Sequence, residues 1–255
     1  MNSPTVCQLA IVAALEREIA PLVKNWKRTW REHEGRKFTF FENEDVIAVC
    51  GGIGLEAARR AAEAVIALYH PQRLQSVGFA GALNEALRVG EVFSPAFVIN
   101  ARDGSRHDLQ SGHGTLVSFM AVAGAQQKAK LAQAYGAIAV DMEAAAVGSA
   151  ARAHGITFGS TKAISDELNF EIPSMDRFIN SEGQFRSTSF VLFATLRPWL
   201  WNSIARLASN TRKAEKALGA HLEIFCKDLS KTSIPRPTSA AAPPAERPLP
   251  AGGGK

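Results

Sequence analysis

The segment Val140-Asp141-Met142-Glu143-Ala144-Ala145-Ala146, followed by Ala163-Ile164-Ser165-Asp166, constrains this chain more than any other feature. It sets two carboxylates across a helix and a strand. Ala144 to His154 reads as an Ala-rich helix, and Ile156 to Ile164 reads as a strand ending in a polar turn. Glu143 then opens a helix, and Asp166 lies just past a strand's carboxyl end, the edge where open α/β sheets bind ligands. The unpaired N–H groups and partial positive charge of a helix start predict that Glu143 stays ionised, ready to accept hydrogen bonds from hydroxyl groups. Each acid alone has an ordinary reading: Glu143 as a dipole-compensating surface group, Asp166 as a turn former or N-cap. A third acid changes the balance. Gln8 to Leu15 is a short apolar run suited to a buried first strand, and Glu16-Arg17-Glu18 follows at its end. Three acidic groups at strand ends are expected to converge on one cleft.

The rest of the chain alternates strand and helix patterns, which makes it α/β. Phe38 to Phe41, Val46 to Cys50, Ser76 to Phe79 and Val92 to Ile99 read as strands, and Leu55 to Tyr69 as an amphipathic helix. Gln126 to Tyr135 reads as a helix before an Ala137 to Val140 strand. Phe190 to Leu229 reads as one or more closing helices interrupted at Pro198. From Lys231 the composition turns to Pro, Ala and Ser with a closing Gly-Gly-Gly, which cannot build a core. The expected organisation is one domain over 1–230 and a disordered tail over 231–255.

With 255 residues, 46% of them hydrophobic, the chain has enough apolar content for a full core. Its three cysteines, Cys7, Cys50 and Cys226, are widely spaced, so neither a disulfide framework nor a CxxC site is indicated and a reducing cytoplasm is expected. No long uncharged apolar run and no basic-then-apolar leader is present, so no membrane span is expected. The net charge of +5 is dispersed over Lys24–Arg36, Arg197–Lys216 and the tail, with no nucleic-acid motif, and reads as solvated surface.

Other motifs compete for the site. Gly52-Ile53-Gly54-Leu55-Glu56-Ala57 fits the dinucleotide fingerprint, but it follows a third strand instead of the first, and Ser76 to Phe79 carries no acid to hold a ribose. Tight backbone at Gly52 and Gly54 better suits close approach to a sugar or phosphate. His107 and His113 fall in a polar stretch that reads as a surface loop and not as a metal site. No G-x-S-x-G elbow occurs. Trp26, Trp30, Trp199 and Trp201 read as packing residues on helices, with Trp199 and Trp201 as an alternative apolar patch.

Taken in order, Ala13-Ala14-Leu15-Glu16-Arg17-Glu18-Ile19, Gly51-Gly52-Ile53-Gly54, Gly78-Phe79-Ala80-Gly81-Ala82-Leu83 with Arg88-Val89-Gly90-Glu91-Val92, and the Asp-Met-Glu-Ala and Ala-Ile-Ser-Asp segments resemble the motifs of the nucleoside phosphorylase superfamily. The resemblance is greatest to its methylthioadenosine/S-adenosylhomocysteine nucleosidase branch. The far half, with Pro173, Gly183 and Arg197-Pro198, resembles the hopanoid-associated phosphorylases. The resemblance implies a three-layer α/β/α sandwich around a mixed sheet, and cleavage of the N-glycosidic bond of a purine nucleoside by water or phosphate. It implies that Glu18 handles the nucleophile side, that Glu143 binds the ribose 2′ and 3′ hydroxyls beside Met142, and that Asp166 protonates the leaving base near N7. It also places Gly81 and Ser165 at the substrate, and Lys162, Gly52 and Gly54 near the nucleophile. An oxocarbenium-like sugar needs nearby carboxylates, and a departing purine needs an acid.

Two positions depart from the nucleosidase pattern. Phe79 stands where that branch carries Ser and cannot donate a hydrogen bond, and Lys162 stands where it carries Arg and offers a point charge instead of a fork. The stretch between Ala101 and Asp141 is short, and no aromatic base-stacking loop is assignable in it. The resemblance implies no metal and no cofactor beyond inorganic phosphate as a co-substrate, and it implies a homo-oligomer. The rival readings are a phosphorylase of an adenosylated lipid and a non-catalytic nucleoside-binding protein.

Overall fold

The computed structural model describes residues 7–170, 178, 180, 183–184 and 201–231. Pro173, Trp199, Arg197-Pro198 and the 232–255 tail, for which the sequence sets expectations, lie outside these residues.

The apolar run at the start forms β1 (Leu9–Ala13), and all five of its residues are buried. A strand apolar on both faces belongs in the middle of a covered sheet, and β1 pairs in parallel on both sides. The chain continues through α1 (Glu16–Val23), β2 (Lys27–His33), β3 (Arg36–Asn43) and β4 (Val46–Cys50). Then come α2 (Leu55–Tyr69), β5 (Arg73–Ala82), β6 (Val92–Phe93), β7 (Phe97–Asn100), β8 (Arg106–Asp108) and β9 (Thr115–Ser118). The remaining elements are α3 (Ala125–Tyr135), β10 (Ala139–Asp141), α4 (Ala144–Ala153), β11 (Thr157–Asp166) and α5 (Trp201–Lys231).

The strands form one 11-stranded sheet in the order β2-β3-β4-β1-β5-β10-β9-β7-β8, with β11 paired to β5 and β6. Pairing is mixed: β1, β4, β5 and β11 run parallel through their contacts, whereas β2-β3-β4 is an antiparallel meander and β10 meets β5 antiparallel. Helices cover both faces. Ala58, Ala61, Ala62 and Val65 of α2 pack with Val147, Ala150 and Ala151 of α4 on one side, and Ile19, Leu22 and Val23 of α1 pack with Ala214, Leu218 and Leu222 of α5 on the other. This is the expected three-layer sandwich. The alanines of α2 let it settle close to the turn after β4, where a Cβ added to Gly51 would lie 2.7 Å from Ala61 Cβ.

The structure corrects several expectations. Lys27–His33 is not merely a solvated basic segment but the edge strand β2; little of it is buried, so it carries no alternating apolar pattern to read. Trp30 therefore sits on a strand, half-exposed, with the Arg28 and Lys37 cations over its ring. The 103–114 stretch is not all loop: β8 pairs with β7 and turns His107 inward, where its ring meets Phe158 edge-on. The motif at Gly52 follows a fourth strand, β4. Asp166 is the last residue of β11 rather than a residue beyond it, and the register of β11 against β5 slips between Ile164 and Asp166. That irregularity re-aims the strand's last side chains.

Candidate active site

Glu18 enters from the first turn of α1. Its Oε2 accepts the N–H groups of Ala14 at 3.0 Å and Leu15 at 2.9 Å, and its Oε1 accepts that of Phe79 at 3.3 Å. An acid three residues into a helix that bonds back to the N-cap N–H is half of a capping box, so the carboxylate is fixed by the helix start itself. It is 4% exposed. Burial pushes its pKa up, while the Leu15 N–H and the nearby Lys162 ammonium pull it down. Gly78 makes room for it: a Cβ there would stand 3.1 Å from Glu18 Oε1.

Glu143 is the N-cap residue of α4, but its side chain does not cap the helix. Asp141 Oδ2 accepts the Ala144 N–H at 2.8 Å and Ser118 Oγ accepts that of Ala145 at 2.9 Å. With those donors taken, Glu143 turns instead to the Gly54 N–H, 2.8 Å from Oε1, and its own neighbour's N–H at Met142, 3.2 Å from Oε2. The expectation that a helix start keeps it ionised fails, because burial outweighs these N–H contacts. Burial first, and the Asp141 carboxylate second, push its pKa up to about 8.

Lys162 is not a group on the cleft wall. Fully buried in β11, it lies 2.9 Å from Asp141 Oδ2 and donates to Ser76 Oγ at 3.1 Å. Burial alone would lower its pKa, but the Asp141, Glu143 and Glu18 carboxylates outweigh burial and raise it. Gly54 likewise gives its N–H to Glu143, and Gly52 gives its own to the Ala14 carbonyl at 3.0 Å. Neither of these N–H groups is left for a nucleophile. Both glycines hold φ near +100°, a conformation that suits a residue without Cβ. Phe79 lines the cleft with the Arg17 guanidinium 5.7 Å from its ring centre.

Asp166 ends β11 against two partners. The Ser165 hydroxyl donates to Oδ1 at 2.6 Å, and Lys128 Nζ of α3 pairs with Oδ2. Lys128 is 1% exposed and also donates to the Glu167 carbonyl at 2.6 Å. An ammonium thus sits in contact with this carboxyl group. Gly81 permits the approach, since a Cβ there would lie 2.9 Å from Asp166 Oδ2 and 3.1 Å from Lys128 Cε.

One cleft of about 1260 Å³ joins these groups, lined by Glu18, Gly81, Met142, Glu143, Ser165 and Asp166. The three acids anticipated from strand ends therefore do converge. Residues 121–123, in the stretch where no base-stacking loop was assignable, line it with Ala, Val and Ala, and Ile204, Leu207 and Ala208 of α5 add an apolar wall. Sequence reasoning missed Lys128 and the capping role of Asp141. The register of α3 carried a trace of the first, because Lys128 and Leu131 are its two buried residues and lie one turn apart. Among the described residues no group of three His, Cys, Asp or Glu side chains is placed to hold a metal.

The family described as the phosphorylase superfamily matches residues 8–118 and 93–192, two overlapping stretches that contain Glu18, Glu143 and Asp166. The chain belongs to the phosphorylase superfamily. Membership places it among enzymes of nucleoside N-glycosyl cleavage. No curated protein matches the chain. Among solved structures, futalosine hydrolase of Helicobacter pylori strain 26695 superposes with a TM-score of 0.65 at 16% identity, over 89% of this chain and 100% of that one. An S-adenosylhomocysteine nucleosidase from Streptococcus pyogenes, bound to 5-methylthiotubericidin, superposes with a TM-score of 0.66 at 17% identity, over 89% and 99%. The Helicobacter pylori 5′-methylthioadenosine/S-adenosylhomocysteine nucleosidase gives 0.64 at 15% identity, over 88% and 99%. At these identities the likeness is one of fold.

Proposed function

We propose that this phosphorylase-superfamily protein hydrolyses the N-glycosidic bond of an adenine nucleoside modified at the 5′ position. The observation that carries the reading is the meeting of Glu18, Glu143 and Asp166 in one cleft from three separate elements. Asp166 serves the leaving base, Glu143 holds the ribose hydroxyls with Met142 against the sugar, and Glu18 orients the nucleophile across from the base. Bond cleavage leaves positive charge on the sugar, and two carboxylates nearby stabilise it. Water is favoured over phosphate because the nucleophile side is a buried carboxylate, while Lys162 is engaged by Asp141 and Ser76. The cleft volume and the apolar α5 wall leave space for a 5′ substituent of methylthio size or larger. The same wall favours one second reading, phosphorolysis of an adenosylated lipid such as a hopanoid.

The test is adenine release from 5′-methylthioadenosine and S-adenosylhomocysteine, with and without phosphate. Release without phosphate is the expected result. Release that requires phosphate supports the phosphorylase reading, and binding without release leaves a nucleoside-binding protein. Sedimentation velocity tests the expected homo-oligomer.

A further inference from the structure

The base end of the cleft holds a group that the three-acid scheme does not use. Lys128 lies on the cleft wall, 1% exposed, with Nζ against Asp166 Oδ2 and 2.6 Å from the Glu167 carbonyl oxygen. Ser165 occupies the other Asp166 oxygen, Oδ1, as a hydrogen-bond donor at 2.6 Å. The proposed reaction asks Asp166 to deliver a proton to the base, and the Lys128 ammonium donates in direct contact with it.

Building on the nucleoside-cleaving reading above, we propose that the proton given to the leaving base originates on Lys128 and reaches it through Asp166. As the C1′–N9 bond breaks, its electron pair moves onto the purine. Nζ gives a proton to the Asp166 carboxylate at Oδ2, and the purine takes a proton at N7 from the carboxyl group so formed. The products are a neutral base, an Asp166 carboxylate and a neutral Lys128 amine, which regains its proton from water after the base departs. Charge is conserved at each transfer, and no further reactant is needed. Lysine suits this work because its ammonium can pass a proton and become a neutral amine, whereas the arginine guanidinium keeps its own. Lys128 acts through Asp166 and is a positioning residue that also supplies the proton. The geometry around it is consistent with that role: Gly81 has no side chain to separate the pair, and α3 presents Lys128 beside Leu131 on its buried face.

The experiment compares Lys128→Ala and Lys128→Arg with wild type on 5′-methylthioadenosine and on 4-nitrophenyl riboside, whose leaving group departs without a proton. Wild type is assayed first, and its failure to release adenine from any nucleoside overturns the underlying reading rather than the role of Lys128. In an active enzyme, both variants are expected to lose about 10²-fold in kcat on the nucleoside and far less on the nitrophenyl riboside. Ethylamine and less basic primary amines are expected to restore Lys128→Ala on the nucleoside, the less basic ones more effectively. Wild-type kcat in Lys128→Arg, equal losses on both substrates, or no rescue of a folded Lys128→Ala would each overturn the proposal. Melting temperatures identify a variant that fails to fold, and Lys128→Met, which keeps the apolar stem, then takes its place in the two-substrate comparison. Equal losses there overturn the proposal as well.

Discussion

At the C-terminal end of β11, Asp166 keeps a carboxyl group between a hydroxyl donor and an ammonium, so Asn in its place retains shape and hydrogen bonding but can pass no proton. In the proposed reaction Asp166→Asn lowers kcat by about 10²-fold or more on an adenine nucleoside and far less on a nitrophenyl riboside. Equal losses on both substrates would reduce Asp166 to a ligand-positioning or structural residue. Glu143 makes a prediction that depends on pH. Its pKa is raised to about 8, so the folded state holds a proton that the unfolded chain releases above its ordinary carboxylate range. The stability linked to that proton is fully present below about pH 4.5, the ordinary value, and is lost as pH rises through about 8. Glu143→Gln should abolish this part of the pH dependence, as measured by melting temperature from acid to alkaline pH. In catalysis the sign is opposite, because the ionised form is the better acceptor for ribose hydroxyls. Wild-type kcat/KM is therefore expected to rise toward pH 8, whereas Glu143→Gln is expected to be low and flat. An unchanged kcat/KM in that variant would remove Glu143 from the sugar site.

Between elements, the decisive link is the buried pair that joins β10 to β11. Lys162 and Asp141 are each almost wholly buried, and Asp141 also accepts from Ser118 Oγ and caps α4 through Ala144. Lys162→Met would leave Asp141 unpaired in the interior, a change that costs about 3–5 kcal/mol in comparable buried pairs. Urea unfolding should show that loss, with phosphate having little influence on any residual activity. A variant as stable as wild type but altered in phosphate response would return Lys162 to the nucleophile side. A glycine on β5 offers a milder probe. Gly81→Ala places a Cβ 2.9 Å from Asp166 Oδ2, so it should shift the acid from its base-facing position and lower kcat by roughly 10²-fold with the fold retained. A wild-type kcat would show that this contact is relieved without moving the acid.

Across the whole molecule, α2 and α4 close one face of the sheet while α1 and α5 close the other, and the cleft opens at the strand ends between them. The residues after Lys231 lack the apolar side chains that such packing uses, so a chain ended there is expected to keep its melting temperature and activity. A large drop in melting temperature would mean that the tail docks. Much of this architecture was legible in the chain itself. Unbroken apolar runs at β1 and β4, the Ala-rich stripe of α2 and the short-range patterns around Asp141 and Asp166 depend on local periodicity, which survives in one dimension. The three acids were legible because each lies at or just after the end of a strand, and strand ends share an edge. Other features depended on contacts that no local pattern encodes. The edge strand β2 has little buried surface to impose alternation, and the inward turn of His107 depends on the packing of α4 and Phe158 against β8. The raised pKa of Glu143 was decided by its burial and by the Asp141 carboxylate beside it, and the company of Asp166 by a lysine on α3. The sequence by itself determined the core strands and helices and which acids reach the cleft, because those follow from periodicity and spacing. Only the tertiary structure decided which cation faces which carboxylate, because burial and charge pairing are set by residues far apart in the chain.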